Sequence, residues 1–343
     1  MRYSSSRIKQ ETWLQSVDHL IHMVDIGRLD PNPAFGSLPN LDLVKRSHIV
    51  ESLILGLPVE MIWAEQGVLG KTQLLSGFEV VSSILGFNSN SFSLRKLRIL
   101  KHLEGLRFSN IDFAEQKHFM QMEVALCTIH YDSDPMLKCL FVEDINKDKY
   151  GVDASQIARS IVFKKAYYTI NNYIEHISRY FNEDLYAIGS HKKYEKYRLK
   201  FQTEVLLCLL VIYIGTERNR LNRSFSTESY SYSRSHISNY DDLYINFSDD
   251  IGAALNKVML MLEMDELYLN DCFKKLDSIV YDAFHSDNFS MNSIGKNYSY
   301  SSHLRKNELS LVDYAIYSFS GQKEKIRIDR FSSVGELFDR LMQ

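Results

Sequence analysis

Residues 42–59 read Asp42-Leu43-Val44-Lys45-Arg46-Ser47-His48-Ile49-Val50-Glu51-Ser52-Leu53-Ile54-Leu55-Gly56-Leu57-Pro58-Val59, and residues 72–80 read Thr72-Gln73-Leu74-Leu75-Ser76-Gly77-Phe78-Glu79-Val80. Asp42 has the short acceptor side chain of a helix cap. Val44, Ile49, Val50, Leu53 and Ile54 then recur at helical spacing. Gly56 and Pro58 end the helix, one by permitting a left-handed residue and the other by lacking a donor. Val59 to Ala64 and Thr72 to Leu75 read as two short strands around a turn at Gly67–Gly70. A second helix opens near Phe78 and runs to about Leu85. The first hundred residues are therefore α/β.

Upstream, Trp13, Val17, Leu20, Ile21 and Val24 have the spacing of a helix over Trp13–Val24 that stops at Gly27. Three of the five prolines follow at Pro31, Pro33 and Pro39, so this stretch is expected to be extended and irregular. Downstream the pattern is helical: a long amphipathic stretch over Ser155–Phe181, an apolar helix over Leu199–Ile214 and another over Ile251–Leu269. Two Ser/Tyr-rich tracts, 223–240 and 286–302, lack periodicity and are expected to be mobile loops. The expected fold class is α+β, with an α/β domain over 1–112 and a mainly α-helical domain over 113–343.

Composition sets outer bounds on function. Apolar residues make up 45% and charged residues 24% of 343, enough to build a core and to exclude global disorder. Lys+Arg 40 against Asp+Glu 43 leaves a net charge of −3, which excludes extensive wrapping of nucleic acid but not a local basic groove. Cys127, Cys139, Cys208 and Cys272 are too far apart for a zinc or redox motif, so free thiols in a reducing compartment are expected. The most apolar run, Val205–Gly215, is about half of the roughly 20 residues a membrane helix needs. No apolar segment follows Met1–Arg7, so no signal peptide is read there. A cytoplasmic protein that does not engage membranes is expected.

The order of elements carries a resemblance. A helix, a proline-rich loop, a helix ending Ser52-Leu53-Ile54-Leu55-Gly56-Leu57-Pro58-Val59, two strands, Ser76-Gly77 and a helix resemble the N-terminal domain of GmrSD-type modification-dependent restriction enzymes. That domain has a ParB/sulfiredoxin-like fold. Leu103-Glu104-Gly105-Leu106-Arg107-Phe108 is similar to the family segment that follows, and Phe141–Asn146 falls where the family has Arg-Ile-Asn and then glycines. The resemblance implies nucleotide hydrolysis at the second helix, where the family reads Asp-Gly-Gln-Gln-Arg. Here the register reads Ser76-Gly77-Phe78-Glu79-Val80, so the acid is replaced by serine and the arginine by valine. The family's earlier Gln-Arg falls near Phe35-Gly36, and the glycines after Asn146 are replaced by Lys147-Asp148-Lys149. Three motifs have lost their charged or backbone-adapting members.

Two readings of the turn follow. Ser76-x-x-Glu79 has the spacing of a capping box, in which Ser76 would accept from the Glu79 amide while Glu79 reaches back. Such a box would occupy the donors that otherwise receive a phosphate. Alternatively, Ser76, Gly77, Phe78 and Glu79, with Asn146, form a residual nucleotide or anion site. Hydrolysis with a relocated acid would draw on Glu79, Asp42, Glu51 or Glu60. A third constellation, Lys192, Lys193, Lys196, Arg198, Lys200, Arg218, Arg220 and Arg223 with Tyr194 and Tyr197 interleaved, is either a solvated face or a nucleic-acid groove. His19 and His22 lack a third ligand at metal-site spacing, so no metal is expected. Family members that cut DNA carry the nuclease as a further C-terminal domain, for which this chain is expected to have no room. The leading expectation is a non-catalytic binding or regulatory subunit of a prokaryotic or phage-related defence system. It would have no cofactor and would act on a protein partner: an intact homologue, a nuclease or another defence subunit.

Overall fold

In a computed structural model, residues 8–32, 42–67, 70–149, 153–177, 201–216, 245, 249–264, 266–285, 310–321 and 332–342 are described. The chain is α+β and divides into two compact units, one ending at Val162 and the other beginning at Phe163. Among the described residues no helix is long and apolar enough to cross a membrane.

In the first unit β1 (Gln10–Ser16) runs directly into α1 (Val17–Asp25). Next come β2 (Leu29–Asp30), α2 (Leu43–Ile54), β3 (Ile62–Gln66), β4 (Thr72–Ser76) and α3 (Phe78–Asn88). After two short 3-10 turns, α4 (Phe113–Gln121), β5 (Glu123–His130), α5 (Pro135–Asn146) and α6 (Ala154–Val162) complete it. The strands form one mixed sheet in the order β1-β5-β3-β4-β2. β5 lies antiparallel to β1 and parallel to β3, and β4 lies antiparallel to β3. On one face Trp63 packs edge-on against Phe141 of α5 at 4.8 Å, and Glu65 pairs with Lys138. The alternate residues Ile62 and Ala64 are fully buried on the opposite face. Beyond that face, the Phe87 ring meets Phe92, Phe108 and Phe119 at 5.9, 5.7 and 5.4 Å. Full burial of one such aromatic ring contributes about 1.5–3 kcal/mol.

Two sequence expectations change here. Trp13 lies in a strand, and the helix begins only at Val17, where the Ser16 hydroxyl accepts from the His19 amide. The boundary expected at 112 falls at 162/163. The cause is β5, which inserts between β1 and β3 and so ties residues 113–162 into the sheet. The cap and the stop expected of α2 hold, with Asp42 accepting from the Val44 amide and Gly56 at φ 67° just past the helix end. Of its apolar positions Val50, Leu53 and Ile54 are buried, and Val44 and Ile49 are half-buried.

One side chain anchors the connection after α3. Glu51 of α2, buried, accepts from the amides of Arg98, Ile99 and Leu100 at 2.9, 2.7 and 2.9 Å. Burial pushes its carboxyl up, but these donors, Arg98 foremost, outweigh burial and hold it below its ordinary value.

The second unit is helical in its described residues. Its elements are α7 (Lys164–Ile177), α8 (201–216), α9 (Ile251–Met264), α10 (Glu266–Phe284), α11 (Leu311–Ser320) and α12 (Val334–Met342). The stretch expected as one helix over Ser155–Phe181 is therefore broken, with Phe163 between α6 and α7. Polar ties cross this bundle: Glu263 accepts from the Ala166 amide at 2.8 Å, and the Tyr173 hydroxyl donates to Asp277 at 2.9 Å. Ser310 and Asp313 form a reciprocal capping box on α11. Beside it, buried Glu204 of α8 accepts from the Val312 amide, while its Oε2 has no partner. Burial, and then the nearby Asp313 carboxylate, push Glu204 up to about 7.

Candidate functional site at the turn into the third helix

Strand pairing carries β4 through Ser76, which faces Trp63 across the ladder. The chain must then reverse within one residue to begin α3. Gly77 does this at φ 84°, the left-handed region that side chains resist. Space imposes glycine as well, because a Cβ there would lie 2.9 Å from Ile62 Cα and 3.2 Å from the Met61 carbonyl oxygen. Gly77 is thus the residue from which the helix starts, and no side chain caps it.

The capping box expected from Ser76 and Glu79 does not form. A capping serine must occupy the N-cap position, and here that position belongs to Gly77. The Ser76 hydroxyl instead donates to Glu60 at 3.3 Å and accepts from the Lys149 ammonium at 3.2 Å. Lys149 also pairs with Glu60 at 2.5 Å, closing a triangle of acid, base and hydroxyl. Glu79 points elsewhere and pairs with Lys45 of α2 at 2.5 Å.

Asn146, the last residue of α5, is fully buried beside this triangle. Its amide donates to the Leu75 carbonyl at 2.9 Å and the Val142 carbonyl at 2.8 Å, and its Oδ1 has no partner. Asn146 therefore fastens α5 to the strand end that delivers Ser76. Beyond it, Asp148 holds φ 60°, a conformation that glycine adopts freely. That backbone turn brings Lys149 back over Ser76.

Of the expected anion-site residues, Ser76, Gly77 and Asn146 meet at this turn. Phe78 can contribute only its backbone, because its ring is buried in the core, and Glu79 is engaged by Lys45. Val80, where the resemblance would call for an arginine, is buried too. The candidate acids are each committed: Asp42 to the α2 cap, Glu51 to three amides, Glu60 to Lys149 and Glu79 to Lys45. The two lysines balance Glu60 and Glu79, so the turn carries no net charge. An arriving phosphate would have to displace a carboxylate from Lys149 or Lys45 before either could hold it. Sequence reading missed both lysines. Lys149 was signalled by the charged residues standing where the resemblance has glycines, whereas Lys45 is brought near only by the packing of α2.

Lys192, Lys193, Lys196, Arg198, Lys200, Arg218, Arg220 and Arg223, and the tracts 223–240 and 286–302, lie outside the described residues. Among the described residues no three His, Cys, Asp or Glu side chains are grouped to hold a metal. Cys127, Cys139 and Cys208 are buried free thiols, and burial pushes Cys139 up to about 12, which makes it a poor nucleophile. An open groove of about 520 Å³ lined by Asp18, Phe108, Phe113, Lys117 and Met120 shares no residue with the turn. No family model, curated protein or solved structure matches the chain.

Proposed function

We propose that the chain is a catalytically degenerate relative of the GmrSD-type N-terminal domain. In this reading it is a cytoplasmic binding or regulatory subunit of a prokaryotic or phage-related defence system. Its partner is a protein: an intact homologue, a nuclease or another defence subunit. One observation carries the reading: the positions of the resembled family's acid and arginine hold buried Ser76 and Val80, and the four candidate acids Asp42, Glu51, Glu60 and Glu79 are each engaged. Phosphoryl transfer depends on charge held ready for the leaving and attacking oxygens, and these pairings hold Glu60 to Lys149 and Glu79 to Lys45. A chain that keeps this core without that chemistry acts through its surfaces.

The test is nucleotide turnover by the purified chain with and without divalent metal. The expected rate is that of the buffer. A metal-dependent rate abolished by Glu60→Gln or Glu79→Ala would overturn the proposal. It would favour the second reading, hydrolysis from a relocated acid, for which the juxtaposition of Glu60, Lys149 and an uncapped helix start is the supporting observation. A nucleic-acid role for the basic clusters is tested by the same preparation: duplex affinity falling steeply with salt and weakened by charge reversal at Lys196 and Arg198 would support it.

A further inference from the structure

β1 stands at the end of the sheet, and among the described residues only β5 pairs with it. The hydrogen bonds at its two ends show which backbone groups point outward. The Lys9 carbonyl accepts from His130, and the Val17 amide donates to the Met122 carbonyl. Odd-numbered residues therefore bond inward to β5, and Gln10, Thr12 and Leu14 turn their N–H and C=O groups to the open edge. Sheet edges are usually blunted by proline, a bulge or a free lysine. Gln10-Glu11-Thr12-Trp13-Leu14-Gln15-Ser16 contains no proline, its register with β5 runs without a break, and the flanking Lys9 is tied back to Asp132 at 2.8 Å. Trp13 is 52% and Leu14 66% exposed, on opposite faces of this edge.

We propose that β1 pairs antiparallel with β1 of a second copy of this chain, across a twofold axis at Trp13, joining two five-stranded sheets into one. The register follows from the strand itself. Outward-facing residues must meet outward-facing residues, and a centre at Trp13 sets Thr12 against Leu14 and Gln10 against Ser16 of the second copy. It pairs all seven residues of the strand, and it places the two Trp13 rings side by side on one face. Glu11 then faces a neutral Gln15, whereas a centre at Glu11 would oppose two carboxylates. A second copy thus matches this edge in backbone polarity and apolar surface, and it meets the edge without opposing like charges. The inference is independent of the proposed function.

Sedimentation across a concentration series should give twice the mass of one chain. Thr12→Pro removes an outward N–H, leaves the backbone ladder to β5 intact, gives up only the Thr12 hydroxyl contact to Cys127, and should weaken association about tenfold or more. Leu14→Lys, which restores a charged edge, should do the same and covers the case in which the proline variant misfolds. In a Cys272→Ser background, Trp13→Cys should cross-link to itself on oxidation, because position 13 lies on the axis, whereas Glu11→Cys should not. A single-chain mass throughout would overturn the proposal. So would a dimer unaffected by both edge variants and not cross-linked through position 13. If deleting residues 1–7 converts a monomer into a dimer, the chain's own N-terminus covers the edge and the proposal likewise falls.

Discussion

Replacing Glu51 by alanine should loosen the first unit far more than the loss of one surface carboxylate would. The side chain accepts from three successive amides, each at 2.9 Å or less. A hydrogen bond to a charged acceptor contributes about 1.5–3 kcal/mol, and the three share one carboxylate, so their contributions are not additive. A total of about 3 kcal/mol follows, from a domain stability of about 5–15 kcal/mol. In a domain of this size that is roughly 6–12 °C of melting temperature. Because the folded carboxyl titrates below its ordinary value, the charge contributes fully above the unfolded value of about 4.3. The contribution disappears as pH falls through the lower folded value. Chemical denaturation of wild type and Glu51→Ala should therefore show a gap that narrows in acid. Amide exchange at Arg98, Ile99 and Leu100 should accelerate in the variant. Equal midpoints at neutral pH, or a gap that does not change in acid, would refute the clamp.

Other consequences are as direct. Gly77→Ala combines a left-handed alanine with a Cβ against the backbone of Ile62 and Met61, and should cost about 2–4 kcal/mol in thermal unfolding. Glu204 titrates near 7 when folded, above its unfolded value, so the stability of the second unit should decline as pH rises from about 4.5 through about 7. Glu204→Gln should abolish that decline, as read by denaturation midpoints over the same range. In α8, a Cβ on Gly215 would lie 2.4 Å from the Phe319 ring. Gly215→Ala should therefore force that ring aside and lower the melting temperature of the second unit by a few degrees, on the order of 1 kcal/mol.

The middle of the first unit was readable because its punctuation is chemical: Asp42 caps, Gly56 reverses and Gly77 turns, each at one residue. The edge was not. Trp13 and Leu14 are adjacent and both exposed, so β1 shows no alternation, and Trp13 happens to fall in phase with the real helix that starts at Val17. β5 alternates only at its start, with Val124 and Leu126 buried before adjacent Cys127 breaks the phase, and its partners come from distant segments that local pattern cannot identify. The site was half legible. Ser76 and Asn146 do come together at the end of β4, but the spacing of Ser76 and Glu79 fits a capping box only if the strand stops one residue earlier than it does. Which lysine would answer which acid depended on the left-handed turn at Asp148 and on how α2 packs, and neither is a local property.

The insertion of β5 between β1 and β3 also sets a timetable for synthesis. Gln10 pairs with Ile129 and Ser16 with Glu123, so the first strand leaves the ribosome long before its neighbour exists. At 5–20 residues per second that interval is on the order of ten seconds. The intervening hairpin of β3 and β4 can zip up locally while the sheet as a whole waits, and such high contact order makes closure slow. A nascent chain stalled before residue 123 should therefore leave β1 open to protease, and one released after residue 162 should protect it in a single step.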